Sequence, residues 1–419
     1  MALLLTSLFV LFLSLMIGVR YWLASRQIRY VTAHADVVPP QFADRVSLEA
    51  HRKAAHYTVE KTRLGFFETA VGAAVLVSLT LLGGLQQISD ALRALITSDL
   101  VYQVAVVAAV VLLLGVIDLP FSWIRQFRIE QRFGFNRMTP RLWMLDLVKS
   151  LAVASALGLP LLAATIWLMQ QAGDAWWFYV WLLWIAFNAL VLLLYPTLIA
   201  PIFNKFEQLN DSALAERIGA LLSRTGFASK GVFVMDGSRR SAHGNAYFTG
   251  LGRAKRIVFF DTLIERLLPP EIEAVMAHEL GHFKLKHIAK RLAFSFLASL
   301  GVLALLGWLI TQPWFFVGLG VEPSVGGAHQ GVALVLFMLV LPVFAFAFAP
   351  LASIMSRKHE FEADRFAARN ASANDLVNAL VKLYQDNAST LTPDPVHSAF
   401  YDSHPPASIR IERLLQAVA

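Results

Sequence analysis

Residues Glu273–His287 read EAVMAHELGHFKLKH. Just upstream stand Leu268-Pro269-Pro270, and prolines followed by Glu271 and Glu273 are helix-start signals: a missing N–H costs nothing in the first turn, and acids favour its positive end. On that helix His278 and His282, four residues apart, share one face where both imidazoles can reach a single ion, with Glu279 directly after the first. Two ligands do not complete a catalytic metal site, which takes three protein donors and one open position. A third donor has to come from elsewhere in the chain, and its location constrains the fold.

Ser356–Asp364, SRKHEFEAD, supplies that donor. Glu360 and Asp364 are again four apart on one helical face, while Glu362 points elsewhere. Glu360 reads as the third ligand, and Asp364 as a carboxylate behind the ligands that orients one of the histidines. The H-E-x-x-H pattern is that of zinc peptidases, in which the glutamate takes a proton from the attacking water without being a ligand. The chain has no cysteine, so any metal is held by His and carboxylate. The expectation is one zinc ion on His278, His282 and Glu360, with Glu279 as general base.

Between His282 and Glu360 lie two long apolar runs, Leu292–Val321 and Gly331–Met355, so the chain crosses a membrane twice and comes back to the same side. Five further runs precede them: Ala2–Val19, Thr69–Ile88, Leu100–Ile117, Ser150–Ala172 and Ala175–Phe203. Hydrophobic residues make up 57% of the 419 and charged ones 16%, against about 25% charged in an average soluble protein. The mean hydropathy of +0.57 agrees. Pro160, Pro196, Pro313 and Pro342 fall within these runs, where neighbouring helices can satisfy the freed backbone groups. The first run is preceded by no basic residue and followed by Arg20, the reverse of a secretory leader, and reads as a retained helix with its N-terminus outside.

Charge settles the expected orientation. The segments after the first, third, fifth and seventh runs carry 8, 6, 14 and 7 Lys and Arg residues, 35 of the chain's 36, and only Arg93 lies on the other side. By the positive-inside rule those segments, the C-terminus and the zinc site face the cytoplasm. The pI of 9.6 therefore reflects orientation, and nucleic acid is not among the expected partners. The expected fold class is a multi-pass α-helical membrane protein with seven transmembrane helices and a small α+β cytosolic zinc-metallopeptidase domain. Residues 1–203 hold the first five helices with their loops, 204–291 the metallopeptidase segment carrying HELGH, 292–355 the last two helices, and 356–419 a C-terminal cytosolic segment. Short β-rich runs at Lys230–Gly237, His243–Leu251 and Lys255–Asp261, bounded by Gly, Ser and basic turns, predict a small sheet.

Taken in order and spacing, several further stretches carry a family resemblance: EQRFGFNRMT (Glu130–Thr139), LIAPIFNKFEQL (Leu198–Leu209), SAHGNAYFTG (Ser241–Gly250), HELGH, SRKHEFEAD, and SHPPASIRIERL (Ser403–Leu414). Over nearly its whole length the chain resembles the type I CAAX prenyl endopeptidases, integral-membrane zinc metalloproteases with seven helices around a large intramembrane chamber. The resemblance implies the zinc ligands and general base named above. It also implies that Asn245 lies near the substrate backbone, where an exposed strand edge can pair with an extended peptide. His404 and Arg410 match residues that contact the substrate or steady the developing oxyanion.

The expected partners are the bilayer and a peptide or protein substrate, with prenylated and unprenylated forms both open. SAFYD (Ser398–Asp402) departs from the aromatic and His that relatives often carry there, which bears on substrate preference rather than metal chemistry. The Ala- and Leu-rich composition points to a bacterial inner-membrane protein, or to the ER membrane in a eukaryote. A quality-control protease acting on misfolded chains is the competing enzyme class. A channel or transporter disagrees with spans nearly free of charge. The other histidines lack ligand spacing; His287 is off the ligand face and His359 is expected to point away from the site.

Overall fold

A computed structural model of the chain describes residues 1–227, 229, 231–249, 256–322 and 329–416. Lys230, Gly250, Leu251 and Lys255, at the ends of the expected β-rich runs, lie outside the described residues.

Among the described residues, seven helices are long and apolar enough to cross a membrane: Ala2–Ala33, Leu48–Leu79, Asp99–Glu130, Pro140–Gln171, Gly173–Phe203, His287–Leu309 and Gln330–Asn370. The 32-residue members reach about 48 Å at 1.5 Å per residue, well beyond roughly 30 Å of hydrocarbon, so their ends project past it. Local chemistry sets their starts. The hydroxyl of Ser47 accepts from Ala50 N at 3.1 Å, and that of Thr139 from Leu142 N at 3.2 Å with Pro140 in the first turn.

Two spans differ from the hydropathy reading. The second ends at Leu79 rather than Ile88, because Gly83 at φ +75° turns the chain into a separate amphipathic helix, Gly84–Leu95. The sixth stops at Leu309, and Pro313 opens a short helix, Pro313–Val317, where its missing N–H is harmless. Apolar composition continues through both breaks, so hydropathy does not register them. Pro160 and Pro342 do lie inside helices, and Pro196 in a π-helical turn.

Beyond the fifth span four strands form one sheet in the order β1-β2-β4-β3: β1 Phe206–Gln208, β2 Val232–Met235, β3 Ala246–Thr249 and β4 Arg256–Phe260. β1 pairs antiparallel with β2, β2 parallel with β4, and β3 antiparallel with β4, which leaves β3 at an edge. Ile257, Val258 and Phe259 of β4 are buried as the centre of this layer.

The helix Pro269–Lys284 forms the middle of the hydrophobic core beneath the sheet, with buried residues on all its faces from Ile272 to Gly281. Against it pack the helices Ser212–Arg224 and Ala373–Asp386, through Leu214, Ile218, Leu221, Leu376 and Leu380, and the helix Ala407–Gln416 adds Ile411 and Leu414 to the same core through its packing on Ala373–Asp386. A helix with buried residues on every side is stable only where neighbours cover those faces. Its start is fixed by Glu271, whose carboxylate accepts from Leu268 N at 2.8 Å and from Lys382 Nζ at 2.7 Å.

The last span does not stop where its apolar stretch ends. It runs on as the helix Ala349–Asn370, which lies against Pro269–Lys284. Gly281 makes the crossing close: a Cβ there would stand 3.0 Å from Ala363 Cα and 3.2 Å from Ala363 O. Small residues on both helices, Gly281 and the fully buried Ala363, let the backbones meet.

Candidate active site

That crossing brings the two sequence motifs together. One donor atom each from His278, His282 and Glu360 lies within 4.8 Å of the others. The two Nε2 atoms face each other at 3.2 Å, His278 Nε2 is 3.5 Å from Glu360 Oε2, and His282 Nε2 is 3.2 Å from Glu360 Oε1. Four donors around one zinc at about 2.0–2.2 Å stand about 3.3–3.6 Å apart in a tetrahedron, so these edges suit the ion. Glu360 Oε2 is buried without a hydrogen bond among the described residues, a costly condition that a cation would relieve. Glu360 and Asp364 outnumber the single buried guanidinium of Arg410 by one negative charge, which also favours a cation.

Asp364 sits behind His278, with Oδ1 2.8 Å from Nδ1. Arg410, 5% exposed, forks onto the same carboxylate from Nε at 2.9 Å and Nη2 at 2.6 Å, and its Nη1 lies 3.7 Å from Glu360 Oε2. Burial opposes a charge on His278, but its hydrogen bonds to Asp364 and Glu360 outweigh that, and its pKa is pushed up to about 9. The acidic partners thus make this imidazole strongly basic, the property that a good ligand needs.

Glu279, half-buried, lines a cavity of about 560 Å³ together with His278, Glu360, Asn245, His404 and Arg410. Asn245 is exposed at the entry to β3, and its side-chain oxygen accepts from Ala246 N at 2.8 Å. His404 stands at the mouth, its side chain 62% exposed, with Nε2 3.5 Å from Glu360 Oε1 and Nδ1 3.0 Å from Ser403 Oγ. Partial desolvation by the surrounding cavity lowers its pKa against the opposing pull of Glu360.

The segment bearing His404 is tied to the helix bearing Glu360. Arg357 Nη1 donates to the carbonyls of Ser398, Ala399 and Asp402 at 3.3, 3.1 and 2.9 Å, and Ser353 Oγ to that of Phe400 at 3.0 Å. A cation on the last carbonyls of the helix Pro395–Tyr401 suits that helix end. Of the residues singled out in the sequence, Asn245, His278, Glu279, Glu360, His404 and Arg410 line one cavity, while His282 and Asp364 stand just behind it against Glu360 and His278. Arg410 is held by carboxylates rather than standing free toward a ligand.

Sequence reasoning passed over His287 and Glu362. His287 is fully buried directly behind His282, with the two Nδ1 atoms 3.1 Å apart, and its Nε2 is 2.9 Å from Glu362 Oε2. The signal is a backbone one: Lys286 adopts φ +58°, a left-handed residue between two helices, and swings the next side chain back under the first. Tyr384, whose hydroxyl is 3.4 Å from Pro405 O, also lines the cavity.

Known proteins resemble this chain in both halves. Residues 27–205 match the family described as CAAX prenyl protease N-terminal, five membrane helices, and residues 208–418 match Peptidase family M48. "CAAX prenyl protease 1" of Saccharomyces cerevisiae is 32% identical over 90% of this chain and 88% of its own length. A "CAAX prenyl protease 1 homolog" of Dictyostelium discoideum is 40% identical over 72% of this chain and 70% of its own length. The crystal structure of S. mikatae Ste24p superposes with a TM-score of 0.91 at 29% identity, covering 98% of this chain and 99% of the other.

Proposed function

The chain belongs to the CAAX prenyl protease family of M48 peptidases, membrane-embedded metalloendopeptidases, and from that premise we propose that it cuts peptide bonds with one zinc ion and a glutamate base. His278, His282 and Glu360 hold the ion. When bound, zinc supplies Lewis-acid polarisation of the scissile carbonyl and makes water a nucleophile near neutral pH. The observation that carries the reading is the convergence of those three donors beside a cavity that His278, Glu360 and Glu279 line.

Glu279 accepts the proton of the attacking water and passes it to the leaving amine. Asp364 holds His278 in the tautomer with Nδ1–H outward and Nε2 free, and Arg410 holds Asp364. Arg410 thereby acts on the reaction through Asp364 and Glu360. His404, at the mouth of the cavity, donates to the oxyanion that develops on the carbonyl. The edge of β3, unpaired among the described residues, pairs with an extended substrate, and Asn245 holds the backbone next to it.

The site faces the cytoplasm, a reading that the distribution of basic residues supports, and the domain organisation follows the spans: helices at 1–203 and 292–355, the metallopeptidase segment at 204–291, and the returning C-terminal segment at 356–419. A reporter fused after residue 419 reads that orientation, and one active only on the opposite face would reverse it.

Purified protein and Glu279→Gln are compared for zinc content and for cleavage of prenylated and unprenylated CAAX peptides. The variant is expected to keep its zinc and lose at least about 10²-fold in kcat. Cleavage at the wild-type rate by the variant would refute the base assignment. Turnover of the prenylated peptide alone marks a CAAX-processing enzyme, whereas equal turnover of both marks a protease indifferent to the lipid.

A further inference from the structure

We propose that His287 and Glu362 are positioning residues for the metal, fixing the tautomer and ring plane of His282. The inference rests on the zinc reading above. Each ligand histidine then has its own support from behind: Asp364 for His278, and the pair His287 and Glu362 for His282.

The hydrogen-bond chain has one consistent polarity. Glu362 Oε2 only accepts, so His287 Nε2, 2.9 Å away, carries the proton. A neutral imidazole has one N–H, which makes His287 Nδ1 an acceptor facing His282 Nδ1 at 3.1 Å. His282 Nδ1 therefore donates, and its Nε2 lone pair points at His278 Nε2 and Glu360 Oε1, 3.2 Å from each. Five positions on a continuous helix would set His287 about 140° around from His282. The left-handed Lys286 ends the helix Pro269–Lys284 and starts His287–Leu309, and so returns His287 to the same side.

A second metal site is the competing reading, since donor atoms of His287, His359 and Glu362 also lie within 4.8 Å of one another. The rings argue against it. His287 and His359 stack with centroids 4.1 Å apart and planes 8° from parallel. Imidazole lone pairs lie in the ring plane, so two rings stacked this way cannot both aim at one ion. His359 instead forms a plate against which His287 is held.

The test is zinc affinity by competition with a chromogenic chelator, in purified full-length protein, with the visible absorption of the Co²⁺-loaded form as a second readout independent of cleavage. His287→Phe and Glu362→Leu are expected to bind zinc about 10–100-fold more weakly and to shift the Co²⁺ bands. His287→Gln, whose amide accepts from His282 and donates to Glu362, and Glu362→Gln, which keeps an accepting oxygen, are expected to recover most of the loss. Where His287→Phe does not fold, the Glu362 pair decides alone. Wild-type affinity in the Phe and Leu variants, or equal loss in the Gln variants, overturns the proposal. So do two metal equivalents per chain with one lost in His359→Phe. Wild-type protein that binds no zinc fails the underlying metal reading instead, which separates the two failures.

Discussion

His278 Nδ1 and Asp364 Oδ1 are 2.8 Å apart, on the side of the ring opposite the nitrogen that faces His282. This single bond joins the two motifs and pairs the buried Arg410 to the site through the same carboxylate. Asp364→Ala is therefore expected to weaken zinc binding by about 10–100-fold and to cost about 3–5 kcal/mol of stability, because it frees the ring and strands the guanidinium. Asp364→Asn keeps an acceptor and should fall between. Chelator competition and thermal melting measure the two effects; an alanine variant indistinguishable from wild type in both would show that the bond positions nothing.

Gly281 sets how near the two helices that carry the proposed ligands come. Gly281→Ala places a methyl group 3.0 Å from Ala363 Cα, a backbone atom that cannot rotate aside. The expected cost is about 1–3 kcal/mol, with looser metal because Glu360 and Asp364 move away from the histidines. Gly301→Ala, where the added carbon meets nothing within 4 Å, is the control and should keep its metal. Equal metal retention by both variants would mean that the close crossing is dispensable.

The edge of β3 makes a prediction about substrate rather than metal. Asn245→Ala should leave zinc content unchanged and lower kcat/KM about tenfold, the loss of roughly one hydrogen bond worth about 1.4 kcal/mol. Kinetics on a peptide series N-methylated one residue at a time should find positions that block cleavage alternating with positions that do not, as strand pairing requires. A uniform response along the peptide would count against pairing.

Asp394 ties the first span to the C-terminal segment. Its carboxylate, almost completely buried, receives Arg26 Nε and Nη2 at 3.2 and 2.9 Å and caps the helix Pro395–Tyr401 through Val396 N and His397 N. Burial raises its pKa, but the bonds from Arg26 and His397 more than offset this, so the folded value lies below the usual one. The stabilisation is thus complete above the unfolded value of about 3.9 and lost as pH falls through the folded value. Asp394→Asn should melt with about 2 kcal/mol less stability at neutral pH, and the gap from wild type should begin to close only below about pH 4. Paired melts across pH 7 to 3.5 test it; a gap that does not change with pH would exclude the charge as its source.

The parts of the fold legible in the sequence were those governed by short-range periodicity. Spacing by four put His278 with His282 and Glu360 with Asp364, and counting apolar runs returned the second pair to the first. What escaped depended on backbone geometry that composition does not encode. Gly83 and Pro313 ended apolar runs early, and β1 is too short to show an alternating pattern. His287 was misplaced for the same reason: an ideal helix carries it away from the ligands, whereas one left-handed residue brings it back.

The donors of the proposed site sit at the two ends of a hairpin that enters and leaves the bilayer, His278 and His282 before it and Glu360 after. A chain still emerging from the ribosome before residue 360 holds only two of the three. With that ligand set, a complete donor triad exists only once both helices of the hairpin have been made, so the proposed site cannot assemble on a partly synthesised chain.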